Sequence, residues 1–142
     1  MVLQHGEMME IHHSNEANPC LMCLQKLKQA HPDIAAWFKR VKAAFPTVHV
    51  AVSYRGKEDQ MRAFEEHKTR LMWPMSGHNQ SDSRGQPAAT ALDLFNLSDD
   101  GVAMFPPLYY AKIFAWCQEH KEPIKWGGNF KSLGDSDHFQ LV

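Results

Sequence analysis

The residues of this chain best suited to chemistry are acids and histidines in its second half. His78 and Asp93 are separated in the sequence, and Asp135-Ser136-Asp137-His138 follows near the carboxyl end. Two histidines and a carboxylate can hold a catalytic zinc ion that keeps a fourth position open for water. Asp135 is then available as a general base. Because none of these residues has the short spacing of a helical zinc motif, the fold must bring them together.

Alternating side chains predict strands that carry the proposed ligands. In segment 90–95 the two leucines share one face, and Asp93 points to the other. In segment 137–142 the large apolar residues share one face, and His138 points away from them. Each strand is therefore expected to turn its apolar side to the core and its ligand to the opposite side.

A third segment, 48–55, has the same alternation. Three valines at alternate positions are expected to face the core: Val48, Val50 and Val52. Ser53 and Arg55 are expected on the opposite side. One face of the sheet is then predicted to carry Arg55, Asp93 and His138 as the floor of a polar cleft.

Apolar residues at helical spacing predict four helices around these strands. Asn18 and Pro19 predict the start of the first, which is expected to run to about Ala30. The others are expected to begin at Pro32 and end before Pro46, to span 57–71, and to span 107–119 with Leu108, Ile113, Phe114 and Cys117 buried. The expected fold is α+β: a small antiparallel sheet with helices on one face and a zinc cleft on the other.

Four elements occur in an order that resembles a known family of zinc peptidases. They are Ser53-Tyr54-Arg55 with Gln60, Ser76-Gly77-His78, Ala91-Leu92-Asp93-Leu94, and Trp126-Gly127-Gly128-Asn129-Phe130 leading to Asp135-x-x-His138-Phe139. From about Val48 to Val142 the chain resembles the group that includes lysostaphin, D-Ala-D-Ala peptidases and the hedgehog amino-terminal domain. The last element is most similar to that of phage endolysins that cleave the L-alanyl-D-glutamate bond of peptidoglycan.

The resemblance implies a role for each matching residue. His78, Asp93 and His138 are expected to bind one catalytic Zn²⁺, Asp135 to be the general base, and Arg55 to bind substrate or stabilise the oxyanion. Ser53, Gln60 and Trp126 are expected to join Arg55 at the substrate. The implied function is zinc-dependent cleavage of the peptidoglycan stem peptide. Chain length and the polar, histidine-rich start predict a single catalytic peptidase domain at 18–142 after a flexible segment, 1–17.

The chain departs from the family's pattern between the first two ligands. Fourteen residues separate His78 from Asp93, more than in the family's compact form, and Ala89 replaces a glycine. Residues 79–88 are rich in Ser, Asp, Gly, Gln and Pro, and we interpret them as a longer loop on the rim of the cleft. This departure bears on substrate specificity more than on metal binding.

Composition argues against several other classes of function. The net charge of −1 and pI near 6.7 provide no basic surface for nucleic acid. No apolar run is long enough for a signal peptide or a membrane span. We therefore expect a monomer that does not insert into membranes. It is expected to be made in the host cytoplasm and to act on the cell wall after the inner membrane is breached, as such endolysins do.

Cys20 and Cys23 form a separate motif. With His12 or His13 before it and His31 after it, the pair could hold a second, structural zinc ion. A redox couple is a further alternative. The interpretation that the sequence favours is two buried thiols on the first helix.

Three alternatives to the implied function stay open. A D-Ala-D-Ala carboxypeptidase would use the same metal ligands. A non-catalytic binding module would keep the zinc but lack turnover, and Asp135 argues against it. A zinc-finger-like interaction protein built on Cys20 and Cys23 would be expected to have a basic surface, which the charge does not supply.

Overall fold

A five-stranded antiparallel sheet forms the centre of the protein in the computed structural model, which describes residues 14–129 and 136–142. The main strands run in the order β1-β2-β5-β4, and a short β3 pairs with the end of β2. Their bounds are β1 Val48–Val52, β2 Ala91–Leu97, β3 Ala103–Met104, β4 Ile124–Trp126 and β5 His138–Leu141. With the helices described next, this architecture confirms the predicted α+β class.

The described residues form four α-helices: α1 Leu21–Leu27, α2 Pro32–Ala44, α3 Lys57–Glu65 and α4 Pro107–Glu119. The sequence correctly predicts the start of α2 and both ends of α4. Pro32 occupies the first turn of α2, where its missing N–H costs nothing, and His31 caps that turn by accepting a hydrogen bond from the Asp33 N–H at 3.0 Å. None of the helices in the described part of the chain has the length and apolar character that a membrane crossing needs.

The predicted bounds of α1 and α3 are wrong. Helix α1 begins at Leu21, because Cys20 is extended and serves as the N-cap, which leaves Asn18 outside the helix. Helix α3 stops at Glu65, six residues early, because His67 adopts a positive φ of 60°. This left-handed residue closes a Schellman-type end, in which the Lys68 N–H donates to the Ala63 carbonyl at 2.9 Å. Glycine usually fills this position, so the histidine gave no stop signal.

The hydrophobic core lies between one sheet face and helices α2 and α4. Leu92, Leu94 and Phe139 are fully buried on that face, as the alternation predicts. The helices contribute Ile34, Trp37, Phe38, Val41, Tyr110, Ile113 and Cys117. Leu108, expected in the buried stripe of α4, is instead 80% exposed, since it lies in the first turn, on the side away from the sheet.

Strand β1 departs from the predicted alternation at its end. Its register with β2 shifts between Val50 and Val52, so that Val52 lies opposite Asp93. A bulge adds one residue and reverses the side-chain alternation beyond it. Val52 is therefore only partly buried, and the prediction that it continues the row of core valines is wrong.

Residues 79–88 form an ordered loop. The Asp82 carboxylate accepts hydrogen bonds from the N–H groups of Arg84 at 2.8 Å and Gln86 at 3.0 Å, which holds a tight turn. Ala89 is buried, and its carbonyl accepts a hydrogen bond from the His31 N–H at 2.8 Å. The longer connection thus packs against the link between α1 and α2.

Packing explains the Trp-Gly-Gly segment, which begins at the last residue of β4. A Cβ atom added at Gly128 would lie 2.2 Å from the ring of Trp126, so the indole folds back over this residue only because it is glycine. The Trp126 Nε1–H donates to the Ser136 carbonyl at 2.6 Å, and its ring packs against Phe114 and Phe139. Trp126 thereby connects the end of β4 to the residues that lead into β5.

Candidate metal centre

Three side chains from three separate elements meet on the sheet face opposite the core. His78 lies in a 3-10 turn, Gly77–Asn79, Asp93 lies in β2 and His138 begins β5. Asp93 and His138 are directly opposite each other in the register of the two strands. One potential ligand atom from each residue lies within 4.8 Å of the others. The structure therefore brings together the three residues predicted as metal ligands.

The turn that carries His78 is fixed by its own capping interactions. The Ser76 hydroxyl accepts a hydrogen bond from the His78 N–H at 3.1 Å, and the Asn79 side chain accepts one from the Ser76 N–H at 3.0 Å. A Cβ atom at Gly77 would meet the Cβ atom of Ala91 at 2.9 Å, so glycine lets the turn lie directly against β2. The Ser-Gly-His turn and the Ala-x-Asp segment of β2 thus pack directly against each other at Gly77 and Ala91.

Hydrogen bonds orient both imidazoles towards Asp93. The His78 Nδ1–H donates to the Ser53 carbonyl at 2.8 Å, which leaves the Nε2 lone pair 3.1 Å from the Asp93 Oδ1 atom. His138 uses the opposite arrangement. Its Nε2–H donates to the Gln140 Oε1 atom at 2.7 Å, and its Nδ1 lies 3.0 Å from the same Asp93 oxygen. Both nitrogens of each ring face an oxygen atom, and these tautomers are the ones that turn a lone pair towards a cation bound at Asp93.

This donor set fits a divalent cation. Two imidazole lone pairs and a carboxylate oxygen converge on one point, and they repel each other unless a cation or additional protons lie between them. Two nitrogens and one oxygen suit Zn²⁺, and three protein ligands leave a coordination position for water or substrate. The remaining hydrogen bonds of both rings supply the orientation that such ligands need.

Electrostatics keep the Asp93 carboxyl in the form that a metal ligand needs. Burial alone would raise the pKa of Asp93, but His78 and His138, when their rings are protonated and donate to this carboxylate, outweigh it and hold that pKa well below its usual range. The carboxylate is therefore negatively charged at neutral pH. An uncharged carboxylic acid would be a much poorer ligand.

Arg55 lies beside this cluster, and hydrogen bonds to Gln60 and His78 hold it in position. Its Nη2 atom is 3.8 Å from the Asp93 Oδ2 atom, which is within ion-pair range but too long for a direct hydrogen bond. Its Nη1–H donates to the Gln60 Oε1 atom at 3.0 Å, and its backbone N–H donates to the His78 carbonyl at 2.8 Å. The guanidinium therefore has a fixed position next to the three candidate ligands.

Two residues expected to contact substrate are buried and instead contact residues of the site. Gln60 is fully buried, and its Nε2–H donates to the Leu71 carbonyl at 2.6 Å. Ser53 is also buried, and its hydroxyl donates to the Lys26 carbonyl at 2.7 Å. We interpret Gln60 as positioning Arg55 and Ser53 as positioning His78. The contact of either residue, or of Trp126, with substrate stays a prediction.

Asn79 is a supporting residue that the sequence argument missed. Its Nδ2 atom donates to the Arg55 carbonyl at 2.9 Å and to the Gln60 Oε1 atom at 3.1 Å, and its carboxamide oxygen completes the cap on Ser76. It thus joins the turn of His78 to the loop of Arg55. The spacing of Ser76 and Asn79, typical of a capping box, was the available signal.

The two acids proposed as competing bases differ in what is known of their position. Asp135 lies outside the described residues, and its role stays a prediction. Asp137 lies near Tyr110 of the core: burial raises the pKa of Tyr110, and the Asp137 carboxylate raises it further. The Asp93 carboxylate, on the opposite face, raises that pKa as well, so the face on which the Asp137 side chain lies stays a prediction from the side-chain alternation.

Comparison with solved structures finds the same fold in a bacterial enzyme. The crystal structure of the Serratia marcescens L-Ala D-Glu endopeptidase ChiX superposes with a TM-score of 0.69 at 22% sequence identity. The match covers 86% of this chain and 87% of that chain. No protein-family model matches the chain, and the curated proteins include no match. The chain therefore shares the fold of a peptidase at low sequence identity.

We predict that one bound metal ion depends on His78, Asp93 and His138. Replacing any one by Ala removes a ligand, so the metal content should fall by about one equivalent per chain. Plasma mass spectrometry of the purified variants measures this, and His120→Ala, which removes an exposed histidine far from the cluster, is the control. Full metal content in all three ligand variants would sink the assignment.

Proposed function

We propose that this protein is a zinc-dependent peptidase that cleaves the L-alanyl-D-glutamate bond of the peptidoglycan stem peptide. The observation that carries the proposal is the convergence of His78, Asp93 and His138, whose ligand atoms lie within 4.8 Å of one another beside Arg55. The fold shared with an L-Ala D-Glu endopeptidase supports the choice of reaction and substrate. The motifs that resemble phage endolysins support a role in cell-wall lysis.

The proposed chemistry assigns a task to each residue of the site. His78, Asp93 and His138 would hold the metal, which when bound lowers the pKa of a water ligand to about 7 and polarises the scissile carbonyl. Asp135 would accept the proton of the attacking water and deliver it to the leaving amine. Arg55 would donate hydrogen bonds to the carbonyl oxygen as negative charge develops there.

The position of Arg55 suits this task. Its hydrogen bond to Gln60 and the bond from its backbone N–H to His78 fix the guanidinium before substrate arrives, so little reorganisation accompanies the reaction. Its side chain retains 19% exposure, so the guanidinium is accessible to a ligand. The ion pair with Asp93, at 3.8 Å, leaves other donors of the fork available.

Digestion of purified peptidoglycan tests the proposed function. The protein, supplied with Zn²⁺, should release new L-alanine carboxyl ends and new D-glutamate amino ends, which mass spectrometry identifies. A chelator should abolish release, and added Zn²⁺ should restore it. Release of free D-alanine instead would assign a D-Ala-D-Ala carboxypeptidase, and absence of any new end in the metal-loaded protein would favour a binding module.

We predict different effects for the two acids before β5. Asp135→Asn should retain the fold and the metal but lose about two to four orders of magnitude in kcat, the usual contribution of a general base. Asp137→Asn is the matched control and should be mild, since the side-chain alternation predicts that this residue points away from His138. Initial rates on soluble stem peptide, normalised to bound metal, measure both. A reversal of the two effects would refute the assignment of the base.

We also predict that the fork of Arg55 contributes to the transition state. Arg55→Lys keeps the charge but loses the planar pair of donors, so kcat should fall more than KM rises. Arg62→Lys, on the exposed face of α3, is the control. If Arg55 only stabilises Asp93, the variant should lose metal or melt earlier while turnover per bound metal stays unchanged, and Arg55 would then leave the catalytic set.

A further inference from the structure

We propose that Cys20, Cys23 and His49 form a second, structural site for a thiophilic divalent cation such as Zn²⁺. The two sulfurs and the imidazole Nδ1 lie within 4.8 Å of one another, and all three residues are buried. Cys20 caps α1, Cys23 lies in its first turn, and His49 lies in β1. The cluster therefore joins the first helix to the edge strand of the sheet. It shares no residue with the candidate metal centre.

The geometry presents an imidazole lone pair to both sulfurs. The His49 Nδ1 atom lies 3.6 Å from the Cys20 sulfur and 3.5 Å from the Cys23 sulfur. The Nε2 side of the same ring lies 2.9 Å from the Oδ1 atom of Asn15, whose own Nδ2–H donates to the Leu97 carbonyl at 3.0 Å. Since Asn15 presents its oxygen, the ring proton is on Nε2, and Nδ1 is free of a proton and able to bind a metal ion.

Lys42 places a buried positive charge beside the His49 ring. Its ammonium is fully buried and lies 3.4 Å from the His49 Nε2 atom. Its three protons have three backbone acceptors, the carbonyls of Ser14 at 3.4 Å, Pro46 at 2.5 Å and Val48 at 2.9 Å. The ammonium therefore does not need the imidazole as an acceptor. Its positive charge disfavours a second proton on His49 and favours negatively charged sulfur nearby.

Two further contacts favour metal ligation over a redox couple. The Val50 N–H donates to the Cys23 sulfur at 3.3 Å, the kind of support that a ligating thiolate receives from the backbone. Burial raises the pKa of Cys23 to about 12, whereas redox-active thiols have a lowered pKa and are accessible to solvent. A metal ion can displace the thiol proton of a buried cysteine, and two sulfurs with one nitrogen supply three of the four ligands that Zn²⁺ takes in structural sites.

The ligands differ in part from those that the sequence suggested. His31 caps α2 and lies outside the cluster, and His12 and His13 lie outside the described residues. His49 takes the place that the sequence argument gave to these histidines. Its parity on β1, opposite the core valines, was a usable signal, and its ring stacks on Phe95 at 5.4 Å between centroids.

The site also has a structural consequence for the proposed active centre. Helix α1 is attached to β1 near its start by the cysteine cluster and near its end by the Ser53 hydroxyl, which donates to the Lys26 carbonyl. The Ser53 carbonyl in turn orients the His78 imidazole. A metal ion at the cysteine cluster would therefore stabilise the part of the chain on which the orientation of His78 depends.

Cobalt substitution tests this site independently of the first. Metal-free reduced protein is titrated with Co²⁺, and the thiolate-to-cobalt charge-transfer absorption is followed. Only sulfur ligands give this absorption, so the ligands His78, Asp93 and His138 do not contribute to it. We expect the absorption to saturate at one equivalent of sulfur-bound Co²⁺ per chain, and to be displaced by Zn²⁺.

Variants assign the absorption to its ligands. Cys20→Ser and Cys23→Ser should each lose half of it or more. Cys117→Ser is the matched control and should keep the absorption. It removes a buried thiol whose sulfur accepts a hydrogen bond from the Trp37 Nε1–H at 3.3 Å. Asn15→Ala should weaken Zn²⁺ binding about 10- to 100-fold, the usual effect of removing a partner of a ligating histidine.

Several outcomes would overturn the proposal. The wild-type titration decides even if a variant fails to fold: no charge-transfer absorption means no thiolate site. Absorption that keeps its full intensity in both single cysteine variants, or that Cys117→Ser abolishes, would also overturn it. None of these readings depends on peptidase turnover, so failure of this proposal is distinguishable from failure of the proposed function.

Discussion

The contact between the Asp93 carboxylate and two imidazoles is the constraint on which the rest of the site depends. One carboxylate oxygen lies 3.1 Å from His78 and 3.0 Å from His138, in a region from which water is largely excluded. Such a concentration of electron pairs is costly unless positive charge compensates it. The sheet register, the turn of His78 and the guanidinium of Arg55 are all arranged around this point.

Much of this arrangement follows from the sequence because strands alternate strictly. Leu92, Leu94 and Phe139 had to face one side, so Asp93 and His138 had to face the other, and the structure places them opposite each other. The bulge that re-aims Val52 is an insertion in pairing, which no single strand's pattern reveals. The early end of α3 escaped prediction because a histidine, His67, takes the left-handed conformation that glycine usually takes at a helix end.

Supporting residues were harder to predict than ligands. Ser53 and Gln60 matched motifs and were expected to meet substrate, yet their partners are backbone carbonyls and Arg55. His49 gave no motif with Cys20, because its proximity to α1 depends on how the helix packs at the sheet edge. Sites that depend on strand alternation and pairing could therefore be predicted, whereas the cysteine and His49 cluster, which depends on how a helix packs on the sheet, could not.

The location of the bound metal tests the central claim most directly. Crystals of the protein loaded with Zn²⁺ should show an anomalous scattering peak, at the zinc absorption edge, about 2.0 to 2.2 Å from the Nε2 atom of His78, the carboxylate of Asp93 and the Nδ1 atom of His138. The other nitrogen of each ring, Nδ1 of His78 and Nε2 of His138, should keep its hydrogen bond to the Ser53 carbonyl and the Gln140 Oε1 atom, respectively. A zinc-loaded, active crystal with no peak between these three residues would contradict the account.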